Sequence, residues 1–181
     1  MKNIFLMILF AAFIFGCGNP KPAEETSMAA PVDTTPKPVE IADDSYSEMG
    51  KQMFAALSSG DMDKFMSAFD DNAMYRWNRG DSLAGKQAID DFWRKRRTET
   101  LSSITFEKQI FLPVKVNQPQ SVEVPGNWLL CWASVTVNYT GKGTMTQWMH
   151  WTIHFDDNKK IDRMTHYVDM VPVNAALAEK K

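Results

Sequence analysis

The chain changes its hydrophobic period once, near residue 104, and that switch constrains the fold more than any other feature. Before it, apolar residues recur at helical spacing; after it, four long segments alternate with a period of two. Tyr46, Met49, Met53 and Leu57 mark a first helix that stops before Ser58-Ser59-Gly60. Asp61 reads as the N-cap of a short second helix that turns Phe65, Met66 and Phe69 inward, until Asp71-Asn72 breaks it. Ala73 to Trp77 reads as a short strand, and Gly85 opens a third helix with Ala88, Ile89, Phe92 and Trp93 on one face. The period-two segments are 104–116, 127–139, 144–156 and 160–170. Asn117-Gln118-Pro119, Tyr139-Thr140-Gly141-Lys142-Gly143 and Asp156-Asp157-Asn158-Lys159 separate them. Helices first and antiparallel strands afterwards specify an α+β domain over 45–175, with helices packed on one face of a curved sheet. A polar tail, 176–181, follows it.

Ahead of this domain the sequence reads as an address. Lys2 supplies a positive n-region, and Ile4 to Phe15 is a run of twelve apolar residues. A spanning helix needs ~20 apolar residues, so the run fits a signal h-region. Ile14-Phe15-Gly16-Cys17 resembles a bacterial lipobox, in which a small residue precedes the cysteine that becomes the lipidated N-terminus. The resemblance implies a signal peptide over 1–16, acylation of Cys17 (diacylglycerol and an amide-linked chain such as palmitate), and an outer-membrane destination from Gly18. Residues 17–44 carry five of the nine prolines and no aromatic residue, so they are expected to form a disordered tether. After cleavage Cys131 is the single remaining thiol. With 20 Lys+Arg against 22 Asp+Glu there is no basic excess to hold nucleic acid.

Several short motifs in the domain resemble the nuclear transport factor 2-like superfamily, in particular its SnoaL-like branch. They are Ser59-Gly60-Asp61-Met62-Asp63, Phe69-Asp70-Asp71-Asn72-Ala73, Gly85-Lys86-Gln87-Ala88-Ile89, Phe155-Asp156-Asp157-Asn158-Lys159-Lys160-Ile161 and His166-Tyr167-Val168-Asp169. The resemblance implies a cone-shaped α+β barrel, mainly antiparallel, whose open end holds a small apolar molecule. It also implies where catalytic groups would lie, and those places are altered. The position of a ketosteroid isomerase-like general base corresponds to Trp77, and that of the second acid to Trp151. The Arg–Asp pair of epoxide hydrolase-like members has no counterpart between Asn127 and Tyr139. His166 falls where SnoaL-like cyclases carry a catalytic Asp, and Tyr75 aligns with a tyrosine that helps to position water.

The last hairpin sorts its own side chains. With Phe155 opposite Lys160, alternation puts Met149, Trp151, Ile153 and Phe155 on one face with Met164, His166, Val168 and Met170. That face is apolar except for His166 and is expected to point into the cone. The other carries Trp148, His150, Thr152 and His154 with Arg163, Thr165, Tyr167 and Asp169, and is expected to point outward as a surface for homodimer formation. A pocket lined by Tyr75, Trp77, Trp93, Met149, Trp151, Met164 and His166 follows, with a neutral His166 as its main polar group.

Other candidate sites fail on geometry. His150 and His154 stand about 13 Å apart along a strand at ~3.3 Å per residue, too far to share a metal. Arg94-Lys95-Arg96-Arg97 ends the third helix, where it complements the helix dipole and is expected to face solvent. Gly141-Lys142-Gly143 is a hairpin turn and no phosphate loop. Cys131 reads as a small buried hydrophobe. No cofactor and no metal site are expected. These residues argue for a lipid-anchored envelope protein whose domain binds a small hydrophobic molecule or partner without chemistry. The alternative is a lyase, isomerase or hydrolase with His166 as acid–base and Tyr75 as helper.

Overall fold

The computed structural model describes residue 35 and residues 37–120 and 124–179. The expected signal peptide, the Cys17 junction and the tether as far as residue 34 lie outside the described residues. The elements run β1 (Val39–Ile41), α1 (Ser45–Ser59), α2 (Met62–Ser67), β2 (Phe69–Trp77), β3 (Ser82–Ala84) and α3 (Lys86–Lys95). A π-helical turn (Arg96–Thr100) leads into β4 (Leu101–Val116), β5 (Gly126–Tyr139), β6 (Thr144–Phe155), β7 (Ile161–Tyr167) and α4 (Met170–Ala178). The strands form one curved sheet in the order β1-β4-β5-β6-β7-β2-β3, which is not closed. Every pairing is antiparallel except β2 with β7.

Local chemistry sets the helix boundaries. α1 stops at Gly60, whose left-handed φ of 81° a glycine adopts without strain and whose N–H bonds back to Ala56. Asp61 then caps α2, its Oδ1 accepting the Lys64 N–H at 3.0 Å. Gly50 lets α1 settle on the sheet, since a Cβ there would lie 2.6 Å from the Leu129 side chain. Along β5 the odd residues from Leu129 to Tyr139 are buried while the even ones stay partly exposed. The inward rows of β5, β6 and β7 pack against Met53, Phe54 and Leu57 of α1, Phe65 of α2, and Ile89 and Trp93 of α3. Cys131 is fully buried in that core.

The structure departs from the sequence expectation in several places. β2 begins at Phe69, so Phe69 to Asn72, read as the end of the second helix and its break, are strand, and β3 has no counterpart among the expected elements. Val39–Ile41, inside the stretch expected to be a tether, pairs with Val114–Val116 as the edge strand β1. The strand expected to reach 170 ends at Tyr167; Asp169 then accepts the Val171 N–H at 2.9 Å and caps α4, which runs on to Ala178 within the expected tail. In the β6–β7 hairpin, Trp151 pairs with His166, two residues further along than a Phe155–Lys160 pairing would place it. The offset builds in two steps: the turn, in which the Asp156 carboxylate accepts the backbone N–H groups of Asn158 and Lys160, sets Phe155 opposite Ile161, and an irregularity between His154 and Phe155 adds the second residue. An even offset leaves the faces as expected. Met149, Trp151, Ile153, Phe155, Met164 and His166 are buried, while Trp148 and Tyr167 are 53% and 42% exposed. His154 departs from the outer-face pattern. It is covered, its ring tilted against Trp128 at 4.8 Å, and bonded to Asp162 at 2.6 Å and to the Pro125 carbonyl at 3.2 Å. Among the described residues no helix is long and apolar enough to cross a membrane.

Candidate functional site

Helices α1 to α4 and the inward face of the sheet enclose a cavity of ≈ 210 Å³. All seven residues expected from sequence as a lining, namely Tyr75, Trp77, Trp93, Met149, Trp151, Met164 and His166, lie around it. The parallel β2–β7 pairing sets Tyr75 beside Met164 and Trp77 beside His166, and β6 adds Trp151 as the rung next to His166. α4 closes one side with Val173 and Leu177, which no sequence expectation had assigned to the cavity. The walls are largely aromatic. Phe54 stacks on Phe106 at 4.4 Å and meets Trp151 edge-on at 4.9 Å, while Trp151 stacks on the His166 ring at 4.7 Å.

His166 is 8% exposed, and both of its nitrogens have partners. Nδ1 lies 3.1 Å from the Tyr75 hydroxyl, and Nε2 lies 3.3 Å from the Met149 sulfur. A thioether has no proton to give, so Nε2 must carry the hydrogen and Nδ1 must accept from the Tyr75 O–H. Burial first, and then the positive fields of Arg96 and Arg79, push the imidazole down from 6.5 to about 3. It is therefore neutral at pH 7. Burial likewise raises the Tyr75 phenol far above its ordinary range, against smaller opposing effects of the Trp151 side chain and Arg96. Neither group is tuned toward neutrality, where proton transfer is most efficient.

Charge reaches the cavity through two residues that the sequence did not single out. Arg79 and Arg96 are the charged side chains of the lining, and no Asp or Glu joins them. Arg79 sits over the Trp77 ring at 5.6 Å, with its Nε on Asp81 at 2.5 Å and Nη1 against the Met170 sulfur at 3.0 Å. Arg96 lies over the Phe92 ring at 5.9 Å, and its positive charge works against the upward shift that burial gives the Tyr139 phenol. No carboxylate among the described residues forms an ion pair with Arg96. This corrects the expectation that the whole run 94–97 faces solvent. Arg94 does so, bridging Asp63 and Asp90, as does Lys95, but Arg96 turns to the cavity and Arg97 lies against Gly60. Spacing carried the missed signal: Arg96 follows Phe92 and Trp93 by four and three residues, so it shares their helix face.

The indole N–H of Trp93, a residue 5% exposed in the cavity wall, has no acceptor. A buried donor left in this state costs about 1–3 kcal/mol. Arg97 also has two unpartnered nitrogens, Nε and Nη1, but it is not part of the lining. Among the described residues no three His, Cys, Asp or Glu side chains gather as a metal-binding group.

With the cavity's geometry in place, its kinship can be stated. A sequence profile described as a SnoaL-like domain matches residues 51–164. The chain belongs to the SnoaL-like domain family. No curated protein matches its sequence. Among solved structures, a provisionally named polyketide cyclase from Pseudomonas putida superposes with a TM-score of 0.59 at 17% identity, over 72% of this chain and 96% of that one. An LEH-like epoxide hydrolase from Mycobacterium tuberculosis gives 0.52 at 15% identity, over 72% and 86%. A protein of ketosteroid isomerase-like fold from Catenulispora acidiphila, in complex with trimethylamine, gives 0.55 at 12% identity, over 73% and 93%. At these identities the likeness is one of fold. The SnoaL-like fold serves cyclases, isomerases, epoxide hydrolases and ligand-binding proteins.

Proposed function

We propose that this protein is a lipid-anchored envelope protein whose SnoaL-like domain binds a small, mostly apolar molecule without transforming it. One observation carries the binding reading: the cavity's neutral titratable pair, Tyr75 and His166, is engaged with itself, and no carboxylate lines the walls. Acid–base chemistry near pH 7 needs a group that exchanges protons there. An imidazole pushed down to about 3 is a weak base, and a phenol pushed upward is a weak acid. The cavity size supports a small guest. It is modestly larger than the ~150 Å³ engineered cavity known to admit benzene, and smaller than the ~300 Å³ at which drug-sized sites begin.

Native mass spectrometry of the purified full chain tests this. A small organic molecule retained by the folded protein and lost on unfolding is expected. A uniformly ligand-free protein that also ignores an added series of aromatic compounds would remove the reading. The enzyme alternative keeps one observation in its favour, the approach of Tyr75 Oη and His166 Nδ1 to 3.1 Å inside the cavity. It requires turnover that disappears in His166→Gln.

The anchor rests on the apolar run before Gly16-Cys17 and the Pro-rich segment after it. Cys17→Ser should leave unprocessed precursor and abolish metabolic labelling with a fatty acid; labelling that persists would refute the anchor. The outer face of the sheet is proposed as a homodimer surface. There Trp132 stacks on His150 at 4.5 Å, and His150 lies 5.2 Å from Tyr167, beside the exposed Trp148. Sedimentation of the detergent-solubilised protein decides it: wild type should run as a dimer that Trp148→Asp splits, and a wild-type monomer would reject the surface.

A further inference from the structure

We propose that the molecule held in this cavity is a small carboxylate with an apolar, ring-sized body, its acid group received by Arg96 and Arg79 and its body by the aromatic wall. This inference rests on the binding reading above and names the chemical class of the guest.

Three independent features of the lining point to an acceptor-rich, negatively charged head. The charge in the wall has one sign, since Arg79 and Arg96 line the cavity and no acidic side chain does. Of the two, Arg96 has no carboxylate partner among the described residues. The guanidinium lies over the Phe92 ring at 5.9 Å, and none of its five N–H groups is held in an ion pair among the described residues, which leaves donors to spare for an incoming group. Arg79 spends Nε on Asp81 and Nη1 on a thioether, a weak acceptor that a carboxylate oxygen would displace. Inside the wall, the Trp93 indole N–H is buried and unpartnered. Two guanidinium groups with donors to spare thus line one space, and an unpartnered indole N–H lies within its wall.

The planar fork of an arginine matches a carboxylate in shape as well as charge. The rest of the wall excludes alternatives. A cationic guest, such as a protonated amine of the kind related to the trimethylamine in the Catenulispora acidiphila protein, would meet two guanidinium groups and no counter-charge. A neutral hydrocarbon would leave the Trp93 donor as it is. Volume limits the body: scaling from the six carbons of benzene in ~150 Å³, the ≈ 210 Å³ cavity holds about eight carbons, a ring with a two-carbon arm, and the heteroatoms of the head are taken up by the guanidinium groups.

Phenylacetate, 2-phenylethanol and 2-phenylethylamine share this body and differ in the charge of the head. Each is titrated into the detergent-solubilised full chain at pH 7, with heat and tryptophan fluorescence as readouts. Phenylacetate should bind about tenfold or more tighter than the alcohol, as charge-assisted bonds exceed neutral ones, and the amine should bind weakest. Arg96→Gln should weaken phenylacetate by about tenfold more than it weakens the alcohol, closing the gap between them, and Arg79→Gln should act in the same direction with smaller effect. The wild-type series alone decides the matter if a variant fails to fold. Equal affinities for acid and alcohol would overturn the carboxylate assignment and leave apolar binding intact. Tightest binding of the amine would overturn it as well. No binding by any of the three would overturn the assignment together with the binding reading beneath it.

Discussion

On the strand side of the cavity Tyr75 and His166 complete one another, whereas on the helix side the buried Trp93 indole N–H has no acceptor and the Arg96 guanidinium has no carboxylate partner among the described residues. Both sides are polar inclusions in an aromatic wall, yet their roles separate. A buried pair whose donor and acceptor match is stable without a guest, because nothing in it is left unpaired. Donors without acceptors are stable only through the packing around them, and they gain from any group that supplies an oxygen. On the binding reading proposed above, the strand side is architecture that happens to be polar, and the helix side is the part that a guest would address.

Mutations can break this contrast, beginning with the shared wall. Trp151 stacks on His166 and meets Phe54 edge-on, so Trp151→Ala should cost about 3–5 kcal/mol of stability in urea unfolding. A loss below about 1 kcal/mol would mean the wall is loosely packed. Tyr75→Phe removes the donor to Nδ1 and leaves a buried ring nitrogen unpaired, which should cost about 1–3 kcal/mol. An unchanged urea midpoint would show that the pair is not closed.

Acid should sharpen the contrast further. Above pH ~6.5 His166 is neutral in the folded and unfolded chain alike; below it the unfolded chain takes up a proton that the folded chain refuses until about pH 3. Stability consequently falls as the pH drops through that window. Relative to His166→Gln, wild type should lose about 1.5 kcal/mol more between pH 6.5 and pH 5, read from urea unfolding at each pH. Parallel losses in the two proteins would place the imidazole in water. His150, which burial also lowers, contributes equally to both and cancels. The smallest effect belongs to the helix side: Arg96→Gln should change stability by no more than about 0.5 kcal/mol, because the guanidinium holds no carboxylate in place. A large loss would make Arg96 a structural residue.

The fold was legible where periodicity was long. β5 and β6 alternate over a dozen residues, and α1 repeats its apolar face through four turns, so each declared itself. β1 and β3 are three residues each, too short to carry a period, and they form because longer neighbours offer an edge. α4 was hidden by Val171-Pro172-Val173, which continues the apolar tone of β7; Pro172 sits in the first helical turn, where its missing N–H does no harm. The wall of the cavity could be foreseen because the inward row of β6 and β7 is set by alternation alone, together with a family resemblance that brings β2 and α3 to the same place. The two arginines escape the sequence reading for different reasons: Arg79 stands alone in a turn after β2, and Arg96 sits in a run of four basic residues that reads as a solvated helix end, although its spacing from Phe92 and Trp93 carries the signal.

The hairpin between β6 and β7 was displaced by two residues from its expected pairing without exchanging its faces. Evolution and engineering meet the same rule at this turn. Adding or deleting residues in pairs slides one strand along the other and keeps His166 beneath the same roof, at the expense of a new neighbour. A single-residue insertion that no bulge absorbed, as the irregularity between His154 and Phe155 absorbs one here, would instead rotate His166 and Met164 outward and bring Arg163, Thr165 and Tyr167 into the cavity. Unless a bulge compensates, length variation at the tip of this hairpin should therefore come in even steps among proteins that retain the cavity, and odd steps should mark those that have abandoned it.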